Sequence, residues 1–136
     1  MWVSIRIQYL ISALCNSLST TFLIFNLGLA GCSSDQAVSY RSDTQSILKK
    51  HCADCQLKGG LGFARSGFLV DSYEHVMQGT RYGAVVVPGS SASSSLYRLV
   101  AGRANPEIRM PYHRAPLPEE KVELITTWID QGAKNN

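Results

Sequence analysis

Cysteine and histidine come together once in this chain, at Lys50-His51-Cys52-Ala53-Asp54-Cys55-Gln56. Two thiols at Cys-x-x-Cys spacing have three chemistries open to them: addition to haem vinyl groups, half of a zinc site, or closure on one another as a disulfide. The residue after the second cysteine ordinarily separates these. A histidine there completes a c-type haem attachment site, because its imidazole is the proximal ligand of the iron. This chain has Gln56 instead, so the motif by itself leaves all three open. A thioredoxin-like thiol oxidoreductase is disfavoured, since the chain lacks alternating strand and helix patterns.

A helix has to present these thiols. Ser42 or Asp43 suits the cap of a helix starting near Thr44, which places Ile47 and Leu48 on one side, a turn before His51 and Cys52. Lys58-Gly59-Gly60-Leu61-Gly62 reads as a loop that turns freely or passes close to something bulky. With no strand before it and no Lys-Ser/Thr after it, it is a poor phosphate cradle. Tyr73 to Gln78 reads as a second helix, capped by Asp71 or Ser72 and ended by Gly79. Val85-Val86-Val87-Pro88-Gly89 is an apolar run stopped by a turn, and a single extended run makes no sheet. A third helix passes through Leu96, Leu99 and Val100, and Arg109-Met110-Pro111 lies in a Pro-rich loop. Pro118 to Gln131 carries the strongest helical pattern. Pro118 suits its first turn, Glu119 and Glu120 its positive end, and Gly132 its close. Val122, Ile125 and Ile129 make a stripe flanked by Leu124 and Trp128, wide enough for a core helix.

The 136 residues fit one domain, with 45% hydrophobic and 17% charged side chains, which argues against wholesale disorder. The net charge of +3 is scattered, with Lys49-Lys50 the one adjacent Lys/Arg pair. No nucleic-acid partner is expected; a solvated face accounts for these charges. Residues 1–31 differ from the rest. Arg6 is the sole charged side chain before Asp35, and an apolar run ends in Leu29-Ala30-Gly31-Cys32. That is the layout of a secretory signal, and its last residues resemble the bacterial lipobox, which implies lipidation at Cys32. The alternative is an uncleaved membrane-spanning segment, for which Asn16, Ser17, Ser19, Thr20, Thr21 and Asn26 are poorly suited. Ser33 after the lipidated cysteine implies an outer-membrane lipoprotein facing the periplasm. Residues 32–42 are expected to be a tether and 43–134 the folded domain. Cys15 leaves with the signal and Cys32 carries lipid, so Cys52 and Cys55 alone remain for other chemistry.

Several segments in order resemble one family. Ile47-Leu48-Lys49-Lys50-His51-Cys52-Ala53-Asp54-Cys55 is similar to the helix and attachment motif of small c-type cytochromes. Lys58-Gly59-Gly60-Leu61, Val87-Pro88-Gly89, Ser95-Leu96, Met110-Pro111 and Ile129-Asp130-Gln131-Gly132-Ala133 resemble the planctomycete-type cytochrome c domain. The resemblance spans about Thr44 to Ala133. It implies a small all-α fold with N- and C-terminal helices packed across each other and long Gly/Pro-rich loops. It also implies haem c attached through Cys52 and Cys55, with Met110 as the distal iron ligand. The implied function is one-electron transfer with other envelope redox proteins, an electron carrier rather than an enzyme, the membrane being reached through the N-terminal lipid.

Gln56 departs from that pattern at the proximal position, and its carboxamide oxygen is a harder, weaker ligand for haem iron than imidazole. His51 precedes Gln56 by five residues, about 140° around a helix, and is expected to face elsewhere. His113 would approach from the side of Met110, and His75 lies on a separate helix. The alternative function is a haem-free descendant with a Cys52–Cys55 disulfide, which an oxidising envelope favours. It would act as a binding or assembly module, its pocket refilled by Phe63, Phe68, Tyr82 or Tyr112. Zinc held by Cys52, Cys55 and histidines lacks a second cysteine pair or regular histidine spacing.

Overall fold

The backbone coils earlier than a cap at Ser42 or Asp43 implies. Ser39 Oγ accepts the Ser42 N–H at 3.3 Å while Asp43 Oδ2 accepts the Ser39 N–H at 2.9 Å, a reciprocal cap of the kind that starts helices. A π-helical turn, Tyr40–Thr44, then runs into α1, Gln45–Gln56. The structure, a computed structural model, describes residues 36–136. The signal segment 1–31, the lipidation motif at Cys32 and the tether up to residue 35 lie outside the described residues. Within the segment 32–42 expected to be a tether, residues 38–42 belong to the fold. Val38 and Tyr40 are buried in its core, and their small polar neighbours hide them in the sequence. The Val38 N–H donates to Gln131 Oε1 and the Tyr40 N–H to Asn136 Oδ1.

Gln36–Asn136 forms one unit, and its regular elements are all helical, as the sequence implies: α1; α2, Leu61–Ser66; α3, Tyr73–Gln78; α4, Ser95–Val100; and α5, Glu119–Asp130. A 3-10 turn spans Pro106–Ile108. Among the described residues the β pairing is limited to an isolated bridge between Thr80 and Gly83, and no helix is long and apolar enough to cross a membrane. α2 corrects the expectation of a loop: the glycines form its entry and first turn. Ser72 Oγ accepts the His75 N–H at 3.1 Å and so caps α3, as its sequence implies. The Val85 to Val87 run is satisfied without a sheet. The Val85 carbonyl accepts the Leu96 N–H, and the Val87 N–H donates to the buried Ser94 Oγ at 2.8 Å.

The core gathers on α5. Ile125, Trp128 and Ile129 are fully enclosed and share one apolar cluster with Ile47, Leu48, Val70 and Val76. Where the end helices were expected to pack across each other, the element that packs on α5 is the Tyr40–Thr44 turn ahead of α1. Its Tyr40 ring lies 5.4 Å from Trp128 and meets Tyr73 edge-on at 5.1 Å. Trp128 Nε1–H donates to the Lys134 carbonyl and the Tyr73 hydroxyl to the Ala133 carbonyl, so two of the three aromatic side chains have their polar tips paired.

Candidate functional site

The last two turns of α1 form one wall of a cavity of about 130 Å³. His51, Cys52, Cys55 and Gln56 all line it. Phe68, Val85 and the α4 residues Leu96, Leu99 and Val100 make the apolar sides, and Met110, Pro111, Tyr112 and Arg114 close it from the loop before α5. Two contacts hold that loop in place. The Met110 N–H donates to the Leu99 carbonyl at 3.2 Å, at the end of α4. At the rim, Arg114 Nη2 meets Asp54 Oδ2 at 3.0 Å and ties the loop to α1. Both partners are more than half exposed, so the pair orients the loop more than it stabilises the fold.

Cys52 and Cys55 are free thiols, each partly buried. Burial pushes the Cys52 thiol up to about 11, and the neighbouring Cys55 adds to the shift. At neutral pH Cys52 is therefore protonated and a poor nucleophile. Gln56 is 8% exposed, and its Oε1 is buried with no hydrogen-bond partner among the described residues. The glycines after α1 explain how its carboxamide is seated. A Cβ on Gly62 would stand 2.4 Å from Gln56 Nε2, and one on Gly60 would stand 2.5 Å from the Cys55 carbonyl oxygen. Here the chain does pass close to something bulky: the end of α1 itself.

The structure thus brings Cys52, Cys55, Gln56 and Met110, noted in the sequence across more than fifty positions, to one cavity. It also corrects the placement of His51, which lines the same cavity. The angle between His51 and Gln56 is that of the helix, but the cavity wraps an arc wide enough to hold both. His113 is exposed, with a left-handed φ of 55° and its ring 4.0 Å from Tyr112. Nδ1 of His75 pairs with Asp71 at 2.6 Å. Of the aromatics expected to refill a vacated pocket, Phe68 and Tyr112 line the cavity. Phe63 lies in a different groove, and Tyr82 is 80% exposed. Among the described residues no group of three or more His, Cys, Asp or Glu is placed to hold a metal ion, so the zinc site finds no ligand set. The Asp54–Arg114 pair and the α4 wall carry no local sequence signal, because their roles arise only when segments distant in the chain meet.

No protein-family model matches the chain, and no curated protein or solved structure matches it.

Proposed function

We propose that residues 43–134 are a cytochrome c-like domain of the planctomycete type, carrying haem c for one-electron transfer in the bacterial envelope and tethered to the outer membrane by lipid on Cys32. The observation that supports this most is the convergence of Cys52, Cys55 and Met110 on a single apolar cavity. Those are two thiols at attachment spacing and the soft thioether donor the family resemblance calls for.

The types of side chain around the cavity suit the group, while the cavity's present size does not. Cys52 is held as a neutral thiol, which suits a neutral thioether product. Gln56 presents a buried oxygen with no hydrogen bond to satisfy it, its carboxamide seated against Gly62. When bound, the haem supplies the one-electron redox chemistry. The chain does the rest: Cys52 and Cys55 fix position covalently, and Met110 offers sulfur from a loop held by Leu99 and Arg114. The walls made by Phe68, Val85 and Leu96 keep water out, which tunes the potential. Redox proteins of the same compartment are the expected partners.

A second proposal is the haem-free module with a Cys52–Cys55 disulfide. Gln56 favours it, and so does the cavity's size, since about 130 Å³ is small for a macrocycle. A macrocycle requires the loop over 101–117 to stand further from α1. One measurement separates the two: intact mass and absorption of the full chain from cells with haem-attachment machinery. Added haem mass with a Soret band, lost in the Cys52→Ser/Cys55→Ser double variant, supports the carrier. A colourless protein lighter by the hydrogens lost in a disulfide overturns it. Lipid labelling that survives Cys32→Ala would overturn the tether.

A further inference from the structure

The cavity is a space that the chain leaves unfilled beside its own core. Phe68, Val85, Leu96 and Val100 belong both to the core cluster and to the cavity walls, and Leu99 and Met110 extend the apolar lining. Protein interiors pack to crystal-like density, so a void of about 130 Å³ forfeits dispersion contacts that a guest of matching shape restores. Two of the polar side chains in the lining ask nothing of a guest. Ser66 Oγ donates to the Gly62 carbonyl and accepts the Phe68 N–H, and Thr80 Oγ1 donates to the Gly83 carbonyl and accepts the Tyr82 N–H. Arg114 already faces Asp54 at 3.0 Å, and among the described residues no Asp, Glu or Lys lines the cavity. His51, Gln56 and Tyr112 complete the polar lining. In their neutral forms each can donate as well as accept, so they select for no ionic group.

We propose that this cavity is a binding site for one small, neutral, monocyclic aromatic molecule of about benzene's size. The inference rests on the haem-free reading above, in which the cavity keeps its present volume. Size sets the ceiling. A dry apolar cavity of ~150 Å³ is enough for benzene or xenon, so about 130 Å³ admits a single ring and excludes a fused pair. The lining favours an aromatic body over an aliphatic one. Met110, Cys52 and Cys55 bring sulfur to the cavity and Phe68 a ring, and both sulfur and aromatic neighbours make favourable contacts with ring edges and faces. Neutrality follows from burial. An ionised guest gives up its hydration on entry, and the one guanidinium in the lining is already matched by a carboxylate.

The test uses the full chain from cells with haem-attachment machinery, with intact mass taken first, and titrates benzene, naphthalene and benzoate by calorimetry and by the urea midpoint. Haem-free wild type is expected to bind benzene at one site and to show a midpoint that rises with benzene concentration. Naphthalene, too large, and benzoate, charged, are expected to bind at least roughly tenfold more weakly. Leu99 lines the cavity and stands outside the core cluster, so it can be changed in both directions. Leu99→Phe fills the space and is expected to weaken benzene binding by roughly the same factor. Leu99→Ala enlarges it and is expected to admit naphthalene, which decides the matter even where Leu99→Phe fails to fold. Haem-free wild type that ignores benzene, or takes naphthalene or benzoate as well as benzene, overturns the aromatic site and leaves the haem-free reading standing. Leu99→Ala that still excludes naphthalene does the same. Wild type carrying haem overturns both.

Discussion

Tyr40 shares with Gln56 a buried oxygen that meets no hydrogen-bond partner among the described residues, yet the two residues differ in what their burial serves. Tyr40 lies at 1% exposure between Tyr73 and Trp128, so its ring is core and its hydroxyl is incidental. Burial, with the negative charges of Glu74 and Asp71 behind it, pushes the phenol from 10.0 to about 12. The neutral phenol is thus the form the fold prefers. Its contribution is complete below pH 10, where folded and unfolded chains both keep the proton, and is lost as pH rises through 12. The shift corresponds to about 2–3 kcal/mol over that window. Tyr40→Phe should cost less than ~1 kcal/mol at pH 7, since no hydrogen bond is broken. It should also flatten the alkaline decline. Urea unfolding of both proteins at pH 7 and pH 11.5 checks this, and equal slopes would show the hydroxyl to be satisfied. For Gln56 the same arithmetic predicts that removing the orphaned oxygen stabilises the chain. Gln56→Met, of similar length and without the orphaned oxygen, should stabilise the haem-free chain by about 1 kcal/mol, read as a shifted urea midpoint. A loss of stability would mean Oε1 has a structural partner.

At the scale of elements, α2 lies against the end of α1 with backbone almost touching backbone. The three atoms nearest to a Cβ on Gly60 are the Cys55 carbonyl oxygen and carbon and the Asp54 carbonyl oxygen, at 2.5–2.9 Å. None can rotate away as a side-chain tip can. Gly60→Ala must therefore shift α2 or the helix end that carries both thiols, at about 1–3 kcal/mol. Gly59→Ala meets nothing within 4 Å but has a left-handed φ of 94°, and should cost only ~1–2 kcal/mol. Thermal melts of the two variants rank them, and Gly59→Ala coming out the more damaging would remove the close-approach argument. The glycine cluster was legible in the sequence as a close approach or a free turn, and the structure selects the former. The helix beginning inside it was not legible, because Leu61–Ser66 is too short for periodicity to register. α3 and α5 were legible because caps, stops and apolar spacing agree there. Two further segments were misread where one buried side chain or one wall outweighs local pattern: Tyr40 in an otherwise polar stretch, and His51 on the broad arc of the cavity.

At the scale of the described fold, core and cavity share walls, Phe68, Val85, Leu96 and Val100 belonging to both, while the most deeply sealed side chains stand apart from the cavity. Trp128, Ile125 and Ile129 on α5 and Leu48 on α1 are sealed at 0–1% exposure, and none of them lines the cavity. The cavity takes its walls from the end of α1, from α4 and from the Met110 loop, with Leu96 and Val100 serving both wall and core. Because the most deeply sealed side chains lie off the cavity, the fold should stand without its ligand, and binding should add to its stability without creating it. Truncations on the two sides test that division. Trp128→Ala removes the largest sealed side chain and its pairing with Tyr40 and Lys134. It should cost about 3–5 kcal/mol, a large part of the ~5–15 kcal/mol that holds a typical domain together. Met110→Ala removes a partly buried thioether at the edge of the core and should cost only ~1–2 kcal/mol in the haem-free chain. In the haem-bearing chain the same substitution should lower the reduction potential, because a methionine ligand raises it. Denaturation of each variant with and without haem, alongside a potentiometric titration, separates these effects. Core loss appears in both states and leaves the potential alone, whereas Met110→Ala moves the potential while barely changing the haem-free midpoint. If Met110→Ala unfolds the haem-free chain as Trp128→Ala does, the loop belongs to the core and its sulfur has a packing role; if the potential is unmoved, Met110 is no ligand.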